Sequence, residues 1–138
     1  MAKHGNFKRI SAKDTKHLQI KEPPPDYDKM RPLFSFRHMD HGSKTCLSSC
    51  QKNSKADIAD TLLQLSQQTW SRILSTYRGG NGKESIPINE FKVPLPSFVT
   101  PDVKSLMVFH FSKAGRMAGI RHNDIYHILV IGDNLYDH

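Results

Sequence analysis

The C-terminal segment, residues 105–138, has three short, mostly apolar runs joined by two tight turns, and this pattern restricts the fold more than any other feature of the chain. Runs of this length between turns indicate strands, in which successive side chains point to opposite faces of a sheet. The sequences SKAG and HND separate the runs and are typical of tight turns. The pattern predicts a three-stranded antiparallel meander over Ser105–Phe111, Arg116–His122 and Ile125–Ile131. The last run is apolar on both faces except for Tyr126 and His127, so we expect it to be the central strand of the sheet.

A helix is predicted before the meander, because apolar residues recur there at helical spacing. We expect Ser54 to begin it and Asp57 to serve as the capping partner. The helix is either continuous or broken near residues 66–68. It should cover one face of the sheet, which leaves the other face or its rim open to a ligand. The predicted core-facing residues of this region are Ile58, Leu62, Leu63, Leu65, Thr69, Trp70, Ile73, Leu74 and Tyr77.

Two further segments complete the predicted order of elements. Residues 32–39 have the alternation of a first strand. Residues 79–105 contain four prolines, which exclude a central strand because proline cannot donate to the hydrogen-bond ladder of a sheet. We therefore expect an α+β fold with an N-terminal strand, one or two helices, a long loop and a C-terminal three-stranded antiparallel meander.

The chain divides into a basic arm, residues 1–31, and a single domain, residues 32–138. The arm has eight Lys or Arg, four acids and few large apolar residues, so it cannot offset its own ordering entropy. The net charge of +7 favours a polyanionic partner, with ordinary solubilising charge as the alternative. No apolar run approaches the roughly 20 residues of a membrane span, and no apolar signal core is present, so we expect a cytoplasmic protein without a membrane partner.

The first two runs of the predicted meander carry positive charge without any acid. Residues 105–123 include three Lys or Arg and no acid. Cleavage of RNA by its own 2′-hydroxyl requires proton transfer and cations over the phosphate, which His and Arg supply without a metal. We expect Arg116 and Arg121 to hold that phosphate, although a charged sheet edge that prevents aggregation is the alternative. The two arginines are five residues apart, so a regular strand would point them to opposite faces, and both can meet one phosphate only at a bulge or an edge. Further side chains expected to contact nucleic acid are Lys113, His122 and Arg37.

With this order of elements and with Tyr136 and His138 at its end, the chain resembles the RelE and YoeB group of toxin ribonucleases, which have the microbial RNase fold. The resemblance covers residues 33–138, and the arginines of the middle strands match Arg116 and Arg121. It implies a metal-independent endoribonuclease without a cofactor, in which Arg116, Arg121, Tyr136 and His138 are catalytic. It also implies RNA or the ribosome as target and an antitoxin-like protein as partner. The phrases FSFRH and YHILVIGDNLYDH resemble small proteins carried by mobile elements, which implies no activity.

Other interpretations remain open. His38, His41, Cys46 and Cys50 have the spacing H-x2-H-x4-C-x3-C, and all four side chains suit zinc. Because this spacing is compressed, a flexible polar loop without metal is favoured. The function alternatives are a non-catalytic nucleic-acid-binding or regulatory protein and an interaction protein that binds an acidic partner.

Overall fold

The computed structural model of the protein describes residues 23–76 and 83–137. Within these ranges the chain forms two α-helices, five strands and several 3-10 turns, which confirms the α+β prediction. None of these helices is long and apolar enough to cross a membrane. The helices are α1 (Lys52–Ser66) and α2 (Trp70–Leu74), and the strands are β1 (Leu33–Ser35), β2 (Glu84–Pro87), β3 (Ser105–His110), β4 (Gly115–His122) and β5 (Ile125–Asp133).

The strands form one mixed sheet in the order β1-β5-β4-β3-β2. The meander β3-β4-β5 is antiparallel as predicted, and β1 adds to β5 in parallel. The middle strand of the sheet is β4, so the prediction that β5 is central was wrong. β5 is nevertheless interior, because β1 and β4 flank it. A register shift lies between β4 and β5, where Ala118 pairs with Val130 and Gly119 pairs with Ile128, so that Leu129 is the extra residue of a β-bulge.

Strand β2 lies in the segment that was predicted to be a loop. It pairs antiparallel with β3 and forms an edge of the sheet. Its last residue is Pro87, and an edge is where a strand tolerates proline. The prolines therefore exclude a central strand in residues 79–105, as predicted, but they do not exclude an edge strand.

The helical region is broken in two, and the break lies where the sequence allowed it. α1 begins at Lys52, two residues before the predicted start at Ser54. The second helix, α2, begins after Thr69, whose side-chain oxygen accepts a hydrogen bond from the backbone N–H of Arg72 at 3.2 Å. The prediction that Leu63 faces the core was wrong, because this side chain is 61% exposed.

Both faces of the sheet are covered. α1 and α2 pack Ile58, Leu65 and Trp70 against one face. On the opposite face, apolar residues of the proline-rich connection after β2 pack against the sheet. The prediction that the other face is open was wrong, because apolar residues stand between the prolines and bury that face, whereas the alternative of a ligand at the rim stays a prediction. The covering residues are Ile88, Phe91, Val93, Leu95, Phe98, Val99 and Val103.

The end of the predicted basic arm is packed on the folded body. The backbone carbonyl of Met30 accepts a hydrogen bond from the backbone N–H of Trp70 at 2.9 Å, and the carbonyl of Asp28 accepts one from the Ser71 hydroxyl at 2.8 Å. The Asp124 carbonyl between β4 and β5 accepts two hydrogen bonds, from the Leu33 backbone N–H at 2.9 Å and from Trp70 Nε1 at 3.0 Å. The expected boundary at residue 31 therefore falls inside a packed segment, while residues 1–22 lie outside the described residues.

Candidate functional site

A hydrogen-bonded cluster of ionisable side chains lies at the β2 edge of the sheet. Antiparallel pairing places Glu84 opposite Val108, and His110 follows two residues later on the same face. His110 Nε2 lies 3.1 Å from Glu84 Oε2, and the Tyr136 hydroxyl donates to the same oxygen at 3.3 Å. Glu84 is 9% exposed, so these hydrogen bonds compensate a carboxylate that is largely removed from water. One carboxylate oxygen thereby connects an imidazole and a phenol.

Arg116 joins this cluster from the neighbouring strand. It lies directly opposite His110 in the β3–β4 pair, so the two side chains share one face of the sheet. Its Nη1 donates to the carbonyl of Gly115 at 2.9 Å and to two further carbonyls of the β3–β4 turn. These bonds fix the guanidinium at the end of the sheet, where its positive charge faces the cluster. We call Glu84, His110, Arg116 and Tyr136 the carboxylate cluster.

Tyr136 is positioned by the segment that follows β5. Asn134 has a positive φ of 61°, which turns the chain after the strand. The backbone N–H of Lys92 then donates to the Leu135 carbonyl at 2.9 Å, and Phe91 and Tyr136 form an isolated β-bridge. The proline-rich connection therefore holds the tyrosine in place.

Burial, and then the negative charge of Glu84, raises the pKa of Tyr136, while Arg116 acts in the opposite direction. Both raising effects disfavour the phenolate. The Tyr136 hydroxyl is therefore protonated at neutral pH and available as a hydrogen-bond donor.

A small cavity adjoins the carboxylate cluster. Its volume is about 160 Å³, and both Arg116 and Tyr136 line it together with Ala114, Asn134 and Leu135. Pockets for drug-sized ligands start at about 300 Å³, so this cavity suits a group of phosphate size rather than a whole nucleotide. A guanidinium and a phenol are suitable donors to such an anion.

Arg121 lies on the other face of the sheet and does not meet Arg116. Its guanidinium lies 4.4 Å from the centre of the Trp70 ring, and its Nη2 donates to Asp28 Oδ1 at 2.6 Å. Its Nε donates to the carbonyl of Asn123 at 2.7 Å. A bulge on β4 would have been needed to bring the two arginines together, but the bulge is on β5 and leaves the alternation of β4 intact.

The remaining predicted site residues are distributed over the molecule. Lys113 is exposed in the β3–β4 turn and lies close to Arg116, which donates to its carbonyl at 3.2 Å. Arg37 and His122 are exposed near the other edge of the sheet. His138 lies outside the described residues, so its predicted catalytic role stays a prediction.

The four residues of the zinc alternative do not converge. The described part of the chain contains no group of three or more His, Cys, Asp or Glu side chains that could hold a metal ion. Cys50 packs against the core on the helical side, whereas the His38 ring stacks on Phe98 of the covering connection at a centroid distance of 3.8 Å. The Cys46 thiol is within 3.5 Å of the Ser49 hydroxyl. Since His38 and Cys50 pack against different layers, the arrangement does not support the zinc alternative.

Sequence reasoning identified Arg116 and Tyr136 but did not include Glu84. The signal for Glu84 was the alternation in residues 84–88, where Ile86 and Ile88 are separated by a proline and preceded by a serine. Because the four prolines of the connection indicated a loop, this alternation was not assigned to a strand. His110 was visible as a meander histidine, but its carboxylate partner depends on the pairing of β2 with β3.

No protein-family model matches the chain, and searches of curated proteins and of solved structures find no match either. What this protein does must therefore be inferred from its own residues.

Proposed function

We propose that this protein is a metal-independent endoribonuclease of toxin type that acts on RNA. The observation that carries the proposal is the carboxylate cluster, in which Glu84, His110, Arg116 and Tyr136 meet. It combines an imidazole, a carboxylate, a guanidinium and a phenol beside a cavity of phosphate size. The net charge of +7 supports the proposal, because it attracts a polyanionic substrate.

The proposed reaction is attack of an RNA 2′-hydroxyl on the adjacent phosphorus. His110 accepts the proton of that hydroxyl, and Glu84 orients the imidazole through its hydrogen bond to Nε2. Arg116 stabilises the negative charge that develops on the phosphate. The bond from phosphorus to the 5′-oxygen then breaks, and Tyr136 donates its proton to that oxygen. The products are a 2′,3′-cyclic phosphate and a free 5′-hydroxyl.

The carboxylate cluster can restore the starting protonation states of His110 and Tyr136 after cleavage. After cleavage His110 carries the extra proton and Tyr136 lacks one. Both side chains contact Glu84 Oε2, so the carboxylate lies between the group that must lose a proton and the group that must regain it. The raised pKa of Tyr136 favours its reprotonation. No metal or cofactor takes part in any step of this scheme.

The test is cleavage of RNA by the purified 138-residue protein, with and without ribosomes and in the presence of a chelator. We expect fragments that end in a 2′,3′-cyclic phosphate. His110→Ala and Glu84→Gln should lower the rate by about 10²–10⁴-fold, the usual contribution of general acid–base catalysis. His41→Ala is the matched control, because this exposed histidine lies in a loop and outside the cluster. His138→Ala, assayed in parallel, tests the role that sequence reasoning gave to that residue.

Two outcomes would contradict the proposal. One is parent protein that leaves RNA intact under all these conditions. The other is a His110→Ala variant that cuts as fast as the parent. RNA binding without turnover, with affinity that falls steeply with salt, would instead favour a non-catalytic nucleic-acid-binding protein.

The resemblance to RelE and YoeB toxins adds two expectations to the proposal. We propose that the protein acts in the cytoplasm and that an antitoxin-like partner restrains it. Expression of the parent should then arrest growth, and co-expression of the partner should restore it. Growth arrest of equal strength by Glu84→Gln would separate toxicity from RNA cleavage and count against the proposal.

A further inference from the structure

Three aromatic rings meet on the sheet face that the proline-rich connection covers, which is the face opposite the helices. His38 follows β1, Phe98 belongs to the connection, and His127 lies on β5. The His38 and Phe98 rings are stacked, with centroids 3.8 Å apart and planes 6° apart. The His127 ring is tilted against both, at 5.1 Å from His38 and 5.2 Å from Phe98. We call these three side chains the ring cluster.

The ring cluster is only half-buried. Trp70 and Tyr126 are fully buried, whereas all three rings of the cluster keep contact with solvent. Stacked rings that remain partly exposed are suited to a planar ligand, because such a ligand can stack on them in turn.

One polar atom of the ring cluster has no protein partner. His127 Nδ1 is buried and makes no hydrogen bond to any described residue. Buried polar atoms in native proteins are nearly always hydrogen-bonded, so this atom is suited to a partner from outside the chain. A shift of the neighbouring rings would give such a partner access.

Arg37 brings a positive charge close to the ring cluster. Burial lowers the pKa of His127, and the nearby His38, His122 and Arg37 lower it further. Arg37 and His122 are exposed beside the rings. An arginine and imidazole N–H groups next to stacked rings are suited to a ligand with both a planar group and a negative charge. A metal ion does not fit this place, because the described residues contain no group of metal ligands.

We propose that the ring cluster binds an unpaired base of single-stranded RNA, with Arg37 and His122 at the adjacent phosphates. This inference rests on the proposed ribonuclease function and names the class of its substrate. An unstacked base offers a planar face to the His38–Phe98 stack and polar edge atoms to His127. Base pairs of a duplex cannot offer that face, so the site selects single strands.

The ring cluster and the carboxylate cluster lie on the same face of the sheet. His127 pairs with Ile120 on β4, and Arg116 lies four residues before Ile120 on that strand with the same side-chain direction. At about 3.3 Å per residue the two positions are roughly 13 Å apart along β4. A single strand of a few nucleotides is therefore long enough to reach from the scissile phosphate, over the covering connection, to the ring cluster.

The experiment uses the whole 138-residue chain and a single-stranded RNA oligonucleotide with 2-aminopurine at successive positions. Stacking on the ring cluster should quench the fluorescence of one position. His38→Ala and Phe98→Leu should remove that quenching and weaken binding at least about tenfold, the loss typical of one stacked base. His41→Ala and Phe36→Leu, which change an exposed histidine and an exposed phenylalanine outside the cluster, should do neither. Arg37→Ala should reduce the slope of log affinity against log salt concentration by about 0.7, the value for one phosphate contact with a single strand.

The outcomes separate this inference from the ribonuclease proposal. His110→Ala should abolish cleavage and retain quenching. If His38→Ala and Phe98→Leu bind like the parent while RNA is still cut, the ring cluster is not a base site and the ribonuclease proposal stands. If RNA is never cut but these variants lose quenching, the base site stands alone. Equal affinity of the parent for duplex RNA overturns the site. Phe98→Tyr, which keeps the ring, should retain quenching, and a thermal melt of each variant shows that a loss is not due to unfolding.

Discussion

At the scale of single residues, Arg121 connects three parts of the fold. Its guanidinium packs on Trp70 and bonds to Asp28 and to the Asn123 carbonyl, and its side chain is only 17% exposed. We expect Arg121→Ala to lower the free energy of unfolding by about 1–2 kcal/mol, from the lost stacking and the lost charged hydrogen bonds. Urea denaturation measures this loss.

The control for Arg121 is Arg37→Ala. Arg37 is exposed, so its replacement should change stability by less than about 0.5 kcal/mol. Equal stability of the two variants would show that the contacts of Arg121 contribute nothing.

Alternation in the sequence predicted that Arg116 and Arg121 point to opposite faces, as they do, but it could not show that Trp70 covers one of them.

The contacts of Glu84 could not be predicted from the sequence either. Its role depends on His110 and Tyr136, which are 26 and 52 residues away along the chain. No local spacing encodes those contacts, because they follow from the register of β2 on β3 and from the bridge that holds residue 136. Arg116 was predictable, since its strand and its charge are both visible in a short window of sequence.

At the scale of elements, β4 and β5 approach closely at the bulge. A methyl group at Gly119 would overlap the backbone oxygen of His127 on the neighbouring strand. Backbone cannot give way as a flexible side chain can, so Gly119→Ala should separate the strands there. We expect a loss of more than about 3 kcal/mol in the free energy of unfolding, at the upper end of overpacking effects. Chemical denaturation tests this value.

Gly42→Ala is the matched control for Gly119. Gly42 has a φ of +91°, and the space that an added methyl group would occupy is open, so its substitution changes backbone conformation alone. That should cost about 1–2 kcal/mol. A Gly119→Ala variant that is more stable than Gly42→Ala would mean that the strands relax at the bulge without penalty.

The periodicity of apolar residues in the sequence was enough to predict the meander and the two helices. The cover on the second sheet face could not be predicted in this way, because it has no regular structure over most of its length. Its apolar residues, such as Phe91, Val93 and Leu95, alternate with prolines and charged residues. Such a pattern is compatible with a surface loop as well as with a layer that buries a sheet.

At the scale of the whole molecule, stability should depend on pH through His127. Burial, followed by the charges of His38, His122 and Arg37, lowers its pKa below 6.5. The unfolded chain keeps the ordinary pKa, so it takes up a proton first as the pH falls below about 6.5. The stability contribution of neutral His127 is therefore complete above about pH 6.5 and is lost as the pH falls through the lowered pKa.

The urea midpoint measured from about pH 5 to about pH 8, the range in which histidine titrates, tests this dependence. It should fall on the acid side for the parent and fall less for His127→Gln. Parallel curves for the two proteins would contradict the assignment.

At the alkaline end, burial raises the pKa of Tyr126 well above its ordinary value, so the contribution of the protonated Tyr126 to stability is present below about pH 10 and is lost at higher pH.

Truncation tests where the folded body begins. Removal of residues 1–22 should leave the melting temperature unchanged within a few degrees, because that part of the sequence has few large apolar residues. Removal of residues 1–31 should lower it by about 5–10 °C, because the contacts of Asp28 and Met30 with α2 and Arg121 are lost. Equal melting temperatures would place the start of the folded body after residue 31.

The two hydrogen bonds to the Asp124 carbonyl also have a kinetic consequence. Leu33 and Asp124 are about 90 residues apart in the sequence, so their bond exists only after most of the chain has been brought together. Contacts of such long range form slowly, because the entropy of loop closure is lost before the contact forms. Trp70 is the single tryptophan of the chain and donates to the same carbonyl. In a refolding experiment, its fluorescence should therefore change after the circular dichroism signal of the hairpins has developed.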